Sequence, residues 1–281
     1  MGGDARDPFV RGVRRATWCA LGALGAAALV APGVARALVV VLTATIGIAH
    51  GATDAATLDR CGVRPRGGKT TISIAYGVLA IVVYALASRR PAASARLLRI
   101  VSWAHFGSGD AAFARACGSR RFEPAEAFVR GAVPLAIGGR GGRSAGALIG
   151  ACAYAALEVL LDEVPDAIDI VLPAFVLYVA PARLGFGAYF SAWHAPRHLA
   201  LLLSRDNRGG TYPERFARFA REAAPNAAIA AAFGAAAYCL RGANDRAEER
   251  VGAIILAITV PHQIAVWTIE FASRREGVRY S

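Results

Sequence analysis

The stretch that decides the fold is Arg36–Leu58, RALVVVLTATIGIAHGATDAATL. Arginine opens it, one histidine and one aspartate lie inside it, and every other side chain is apolar, small or a hydroxyl. A helix of this length rises about 35 Å, enough to cross a hydrocarbon core of about 30 Å. Nothing in it alternates polar with apolar, as a strand of a membrane barrel must. The same character recurs at Trp18–Ala31, Thr70–Ala87, Ala93–Phe113, Ala125–Ile137, Ser144–Leu161, Ala167–Ala180, Leu184–Leu203, Pro225–Leu240 and Arg250–Phe271. The reading is all-α: a polytopic integral membrane helix bundle of eight to ten transmembrane helices.

Composition agrees with that reading. Of the 281 residues, 56% are hydrophobic and 19% charged, with mean hydropathy +0.41. A soluble domain carries about 25% charged residues, and disorder needs low hydrophobicity, so both classes are disfavoured. The net charge of +12 does not indicate nucleic acid. Basic residues sit in short clusters between apolar runs, as in Arg11, Arg14, Arg15 and Arg60, Arg64, Arg66, Lys69. Cytoplasmic loops facing anionic lipid have this pattern. Segments assigned to the inner side hold more Lys and Arg than the outer ones, so both termini are expected in the cytoplasm of a multi-pass cell-membrane protein.

Residues 1–17 are expected to form a cytoplasmic N-terminal segment, 18–272 a single transmembrane catalytic domain and 273–281 a C-terminal tail. The first apolar run reads as a membrane helix ending at Pro32-Gly33. A cleaved signal peptide is the lesser reading, because Arg36 interrupts the small-residue pattern Ala35-Arg36-Ala37. The arginine-rich segment Ser204–Ala224 reads as an inner-surface loop with room for an interfacial helix. Five scattered cysteines without a Cys-x-x-Cys signal neither a disulfide frame nor a zinc knuckle.

All five histidines, His50, His105, His194, His198 and His262, fall inside apolar runs. Their runs are the second, fourth, eighth and tenth, which travel in one direction. All five therefore lie at a common depth, about 15–22 Å below the outer helix ends. His194 and His198 share a helix face at i,i+4, a spacing that lets two imidazoles hold one metal. Pro196 between them is expected to loosen the helix. Interhelical hydrogen bonding is the bland alternative for such a pair. Asp54 lies one turn from His50, and Asp110 follows His105. Each is placed to orient a histidine of a neighbouring helix or to pair with Arg130 or Arg197. Gly51, Gly107 and Gly109 beside these histidines allow close approach of a helix or a ligand. Imidazoles without a compulsory carboxylate suit iron, zinc or copper, and an apolar setting suits iron(II), dioxygen and a hydrocarbon substrate.

At these residues the chain resembles the Brp/Blh membrane β-carotene 15,15′-dioxygenases. The shared motifs are His-Gly-Ala-x-Asp at His50–Asp54, His-Phe-Gly-x-x-Asp at His105–Asp110, Arg-Gly-x-x-Pro at Arg130–Pro134, His-x-Pro-Arg-His-Leu at His194–Leu199, and Pro-His at Pro261–His262. Where the family often has Pro before the first histidine and His after the aspartate, this chain has Ala49 and Ala55. The resemblance implies iron(II)-dependent cleavage of the central double bond of β-carotene by dioxygen to two molecules of all-trans-retinal. It carries Fe(2+) ligation to His50, His105, His194 and His198, with His262, Asp54, Asp110 and Arg197 near the site. Gly51, Gly107 and Gly109 are expected to border a lateral substrate passage. The alternative is a non-enzymatic carotenoid- or retinal-binding membrane protein or a rhodopsin accessory factor; the enzyme reading also allows a functional link to a retinal-binding rhodopsin. Diiron lipid desaturases are disfavoured, because they need about eight histidines in repeated boxes. An opsin is disfavoured because the only lysine, Lys69, lies in a glycine-rich loop.

Overall fold

A computed structural model of the protein describes residues 7–60, 68–119, 123–136, 145–206, 208–239 and 247–275. Cys61, Arg64 and Arg66, and the tail beyond residue 275, lie outside the described residues. Among the described residues all regular structure is helical, in ten helices. They are α1 (Pro8–Val30), α2 (Pro32–Leu42, a π turn at Thr43–Gly47, then Ile48–Ala52 and Asp54–Arg60), α3 (Gly68–Arg89), α4 (Pro91–Ala116) and α5 (Glu123–Ala136). There follow α6 (Ala145–Leu160), α7 (Val164–Val179), α8 (Ala182–Tyr189, a π turn at Phe190–His194, then Ala195–Ser204), α9 (Tyr212–Cys239) and α10 (Ala247–Arg275). Each answers to one apolar run of the sequence, and the chain is an all-α membrane helix bundle. Three helices, Pro8–Val30, Pro32–Leu58 and Gly68–Arg89, are by themselves long and apolar enough to cross a membrane. On α3 the side chains of Ile74, Val78, Ile81 and Leu86 are exposed, as lipid-facing residues are.

Local chemistry sets the helix ends. Asp7 caps α1, its carboxylate accepting from the Phe9 N–H at 2.9 Å. Ala31, which precedes Pro32, leaves the helical region and breaks α1 from α2. One boundary differs from that read in the sequence. The segment expected to precede the first span is already helical from Pro8. The arginine-rich stretch after Ser204, read as a loop with room for a helix, enters α9 at Tyr212 and continues through Pro225 as one helix. Phe9 and Tyr212 stack with ring centroids 3.7 Å apart, and the Tyr212 hydroxyl donates to Asp7. Burial and that carboxylate push the phenol up to about 12.

The described residues form two compact units, one of 7–50 with 103–216 and the other of 51–102 with 217–275. In the first, Leu21 of α1, Phe106 of α4, Ile170 and Leu177 of α7, and Tyr189 and Trp193 of α8 share one apolar core. Small residues bring backbones together, the usual device where water gives no drive to helix association. A Cβ at Gly107 would strike the Ala127 carbonyl, and one at Gly131 the Trp103 carbonyl, so α4 and α5 touch along their main chains.

This unit also buries charge. Arg14 of α1, 7% exposed, lies 2.5 Å from Asp166 and 2.8 Å from Asp169 of α7. Arg130 of α5 meets Glu126 at 3.2 Å and Asp166 at 3.3 Å. Arg197 of α8 meets Asp169 at 2.8 Å. Three guanidiniums thus face three carboxylates, which is how charges are tolerated in an apolar interior.

In the second unit α3 and α10 pack against each other, with Ala87, Ala253 and Leu256 in one buried cluster. The Tyr76 hydroxyl donates to the Ile258 carbonyl at 3.1 Å. Leu58, Ala265 and Ile269 form a second cluster.

Candidate metal centre

Two π turns build the site. One, Thr43–Gly47, ends three residues before His50; the other, Phe190–His194, ends on His194. A π turn carries one residue more than an α turn and widens the hydrogen-bond ladder, a device frequent at functional sites. In each turn a hydroxyl bonds back to the carbonyl four residues earlier, Thr45 to Val41 at 2.8 Å and Ser191 to Gly187 at 2.7 Å. Pro196 contributes to the second, since it has no N–H for the Ala192 carbonyl. The loosening expected at Pro196 is therefore found just ahead of it. The turns pack together: a Cβ at Gly47 would lie 2.7 Å from the Phe190 ring.

His50, His105 and His194 each offer a ring nitrogen, and these nitrogens lie within 4.8 Å of one another. His105 Nε2 and His194 Nε2 are 3.0 Å apart. The three rings are 6%, 4% and 1% exposed. The half-buried His198 joins them, its ring centroid 5.5 Å from that of His50 and 6.4 Å from that of His194. The first unit thus brings four of the five histidines together.

Hydrogen bonds fix how the rings present themselves. His50 Nδ1 bonds the Gly47 carbonyl, and His194 Nδ1 lies 3.3 Å from Asp110 Oδ1. A proton on each Nδ1 leaves each Nε2 with its lone pair, the state a metal requires. Two Nε2 atoms at 3.0 Å repel unless a cation or a proton sits between them. The donor chemistry therefore fits a borderline transition metal such as iron, zinc or copper. Phe106 packs 4.8 Å from the His194 ring and Phe190 5.5 Å from the His50 ring, giving the nitrogens apolar surroundings.

Asp110 is a hub. It accepts from the Tyr189 hydroxyl at 2.9 Å and from Trp193 Nε1 at 3.2 Å, besides facing His194. Arg197 turns to Asp169 and lies 3.4 Å over the Trp193 ring. Asp54 and His262 belong to the second unit, where Asp54 Oδ2 is 2.7 Å from His262 Nδ1. Both aspartates thus bond a histidine on another helix.

The three glycines meet protein where a side chain would project. Gly51 faces the His262 ring at 3.2 Å, Gly109 faces His194 Cε1 at 2.9 Å, and Gly107 faces the α5 backbone. In that direction none of them opens a passage, because each gives its space to a neighbouring ring or helix. Tyr189, Trp193 and the carboxylate Asp169 were not singled out from the sequence. An aspartate inside an apolar run was the available signal for the last.

No curated protein and no solved structure matches the chain. A family model described as beta-carotene 15,15'-dioxygenase matches residues 41–138 and 142–269, most of the chain and all five histidines, and the protein belongs to that family.

Proposed function

We propose that the protein is an iron(II)-dependent β-carotene 15,15′-dioxygenase of the cell membrane, multi-pass with both termini in the cytoplasm. It splits the central double bond of β-carotene, and each oxygen atom of dioxygen ends in one all-trans-retinal. The observation that carries this reading is the convergence of His50, His105, His194 and His198 among apolar side chains. His50, His105, His194 and His198 would hold the iron. When bound, iron(II) supplies the electron chemistry that lets ground-state dioxygen react with a closed-shell hydrocarbon.

The chain's own residues do the rest. Asp110 holds the Nδ1 proton of His194, and the Gly47 carbonyl holds that of His50, so both rings keep one tautomer and one orientation. Phe106 and Phe190 keep water from the nitrogens and offer the polyene apolar contact. β-Carotene is nearly insoluble in water and reaches the site sideways from the bilayer. His262, oriented by Asp54, is assigned an effect on rate rather than on iron retention.

The test is expression in a β-carotene-accumulating bacterium, with carotene and retinal measured by chromatography and iron measured on the purified protein. Loss of carotene with formation of retinal is expected. Unchanged carotene with the protein present in the membrane would overturn the proposal.

A further inference from the structure

We infer that Asp169 of α7 is a positioning residue for the histidine helix α8, acting on the metal centre through Arg197 and Trp193; this rests on the metal-binding reading above. Asp169 is 3% exposed, and its Oδ1 accepts from Arg197 at 2.8 Å and from Trp18 Nε1 at 2.7 Å. Its Oδ2 lies 2.8 Å from Arg14. Arg197 falls between His194 and His198, and its side chain is paired, hydrogen-bonded and stacked. Its Nε donates to Thr17 Oγ1 at 3.0 Å, and its guanidinium lies 3.4 Å over the Trp193 ring and 4.8 Å from that of Phe113. Trp193 Nε1 donates to Oδ2 of Asp110, whose Oδ1 faces His194 Nδ1. A continuous chain of contacts therefore runs from Asp169 through Arg197, Trp193 and Asp110 to His194.

The π turn explains why such an anchor is needed. Phe190–His194 lies immediately before this segment and departs from the regular ladder, so the main chain alone holds the register of α8 less firmly. Arg197 gives this part of α8 a charged, directional tie to α7 beside the apolar packing of Trp193. Stability alone gives little reason for a buried ion pair, since apolar residues of similar volume serve as well. Its distinctive property is direction. A planar guanidinium that is at once paired, hydrogen-bonded and stacked has one position, and a lysine cannot reproduce it. Sliding α8 by even a fraction of a turn would break the Asp169 pair and carry both imidazoles with it.

The experiment uses the full chain in detergent, loaded with Co(II), whose visible spectrum reports ligand geometry. Co(II) affinity is read by chelator competition and folding by thermal melting. Asp169→Asn and Arg197→Lys are each expected to weaken Co(II) binding about 10–100-fold and to shift the bands, as loss of outer contacts to metal ligands does. Arg14→Lys keeps a cation beside the α7 carboxylates and is expected to stay within about twofold of wild type, with an unchanged spectrum. If Asp169→Asn fails to fold, Arg197→Lys and Trp193→Phe carry the test, the latter removing the donor to Asp110 and shrinking the ring under Arg197. Wild-type affinity and bands in the folded variants would overturn the inference. So would a loss in Arg14→Lys equal to that in Arg197→Lys, which would mark the cluster as structural only. A wild-type protein that binds no Co(II) would instead refute the metal-binding reading itself.

Discussion

Gly109→Ala is the smallest change that reaches the histidines directly. Its methyl group would lie 2.9 Å from Cε1 of His194, 3.7 Å from Nδ1 and 3.9 Å from Nε2. Carbon atoms rest at about 3.5–4.0 Å, so Cε1 must retreat by about 0.6 Å or more. The ring has little freedom to do so as a whole, because Asp110 holds Nδ1 and the Phe106 ring stands 4.8 Å away. It therefore tilts, and Nε2, bonded to Cε1, moves by a comparable distance. Metal–ligand distances tolerate about 0.2 Å, so the site loses a well-placed donor. The expected effect is a 10–100-fold loss of metal affinity, about 1.4–2.7 kcal/mol, similar to the about 1–3 kcal/mol of an overpacked core. The assay is anaerobic competition for iron(II) with a chromophoric chelator in detergent, alongside carotene cleavage. Gly107→Ala is the control, since its methyl group meets the Ala127 carbonyl and should lower the melting temperature without singling out the metal. Wild-type iron affinity and cleavage in Gly109→Ala would refute the reasoning, because the imidazole could not then be held where it is described.

Alanine in place of His50, His105, His194 or His198 should abolish cleavage with the protein still in the membrane; two variants with most of their activity would break the four-histidine assignment. Asp110→Asn, which keeps the shape but removes the charge facing His194, should make iron about 10–100-fold easier to extract with chelator. Arg14→Met leaves Asp166 and Asp169 short of a buried counter-charge and should cost about 3–5 kcal/mol, read as a lower midpoint of thermal or denaturant unfolding. Lys69→Gln should cleave carotene at near the normal rate, and borohydride added during turnover should leave no retinyl group on the chain. Lys69 is exposed, without the desolvation that makes a lysine amine a good nucleophile, so a stoichiometric retinyl adduct on it would contradict this expectation.

The helices were legible because apolar runs with polar punctuation have few physical solutions in a bilayer. Ten runs became ten helices among the described residues, and the first of them begins earlier than its apolar run, where polar residues belong to the helix. Arg14 shows why. Read alone it is a loop residue, and only Asp166 and Asp169, far along the chain, make its burial possible. Spacing and direction along the chain were the sequence's reasons to expect the histidines near one another, and ring nitrogens of His50, His105 and His194 lie within 4.8 Å. The π turns did not follow, because no single residue requires one; Pro196 marked the neighbourhood but not the position. Tyr189 and Trp193 were invisible as partners of Asp110, since an aromatic in an apolar run ordinarily signals packing. At Gly51, Gly107 and Gly109, where the sequence leaves room for a helix or a ligand, a ring or a backbone stands in the direction a side chain would take.

The buried cluster of arginines and carboxylates has a consequence for biosynthesis. Arg14 and Asp166 are separated by 152 positions in the chain. At about 5–20 residues per second, the ribosome leaves the first helix without its counter-charges for roughly 8–30 s. During that interval a cation near the start of the helix rests at the membrane surface, where its long side chain reaches water. The later helix supplies the carboxylates with which that cation is paired in the folded chain. Insertion and compaction of this part of the molecule are thereby separated in time, and the second waits on the order in which the messenger is read.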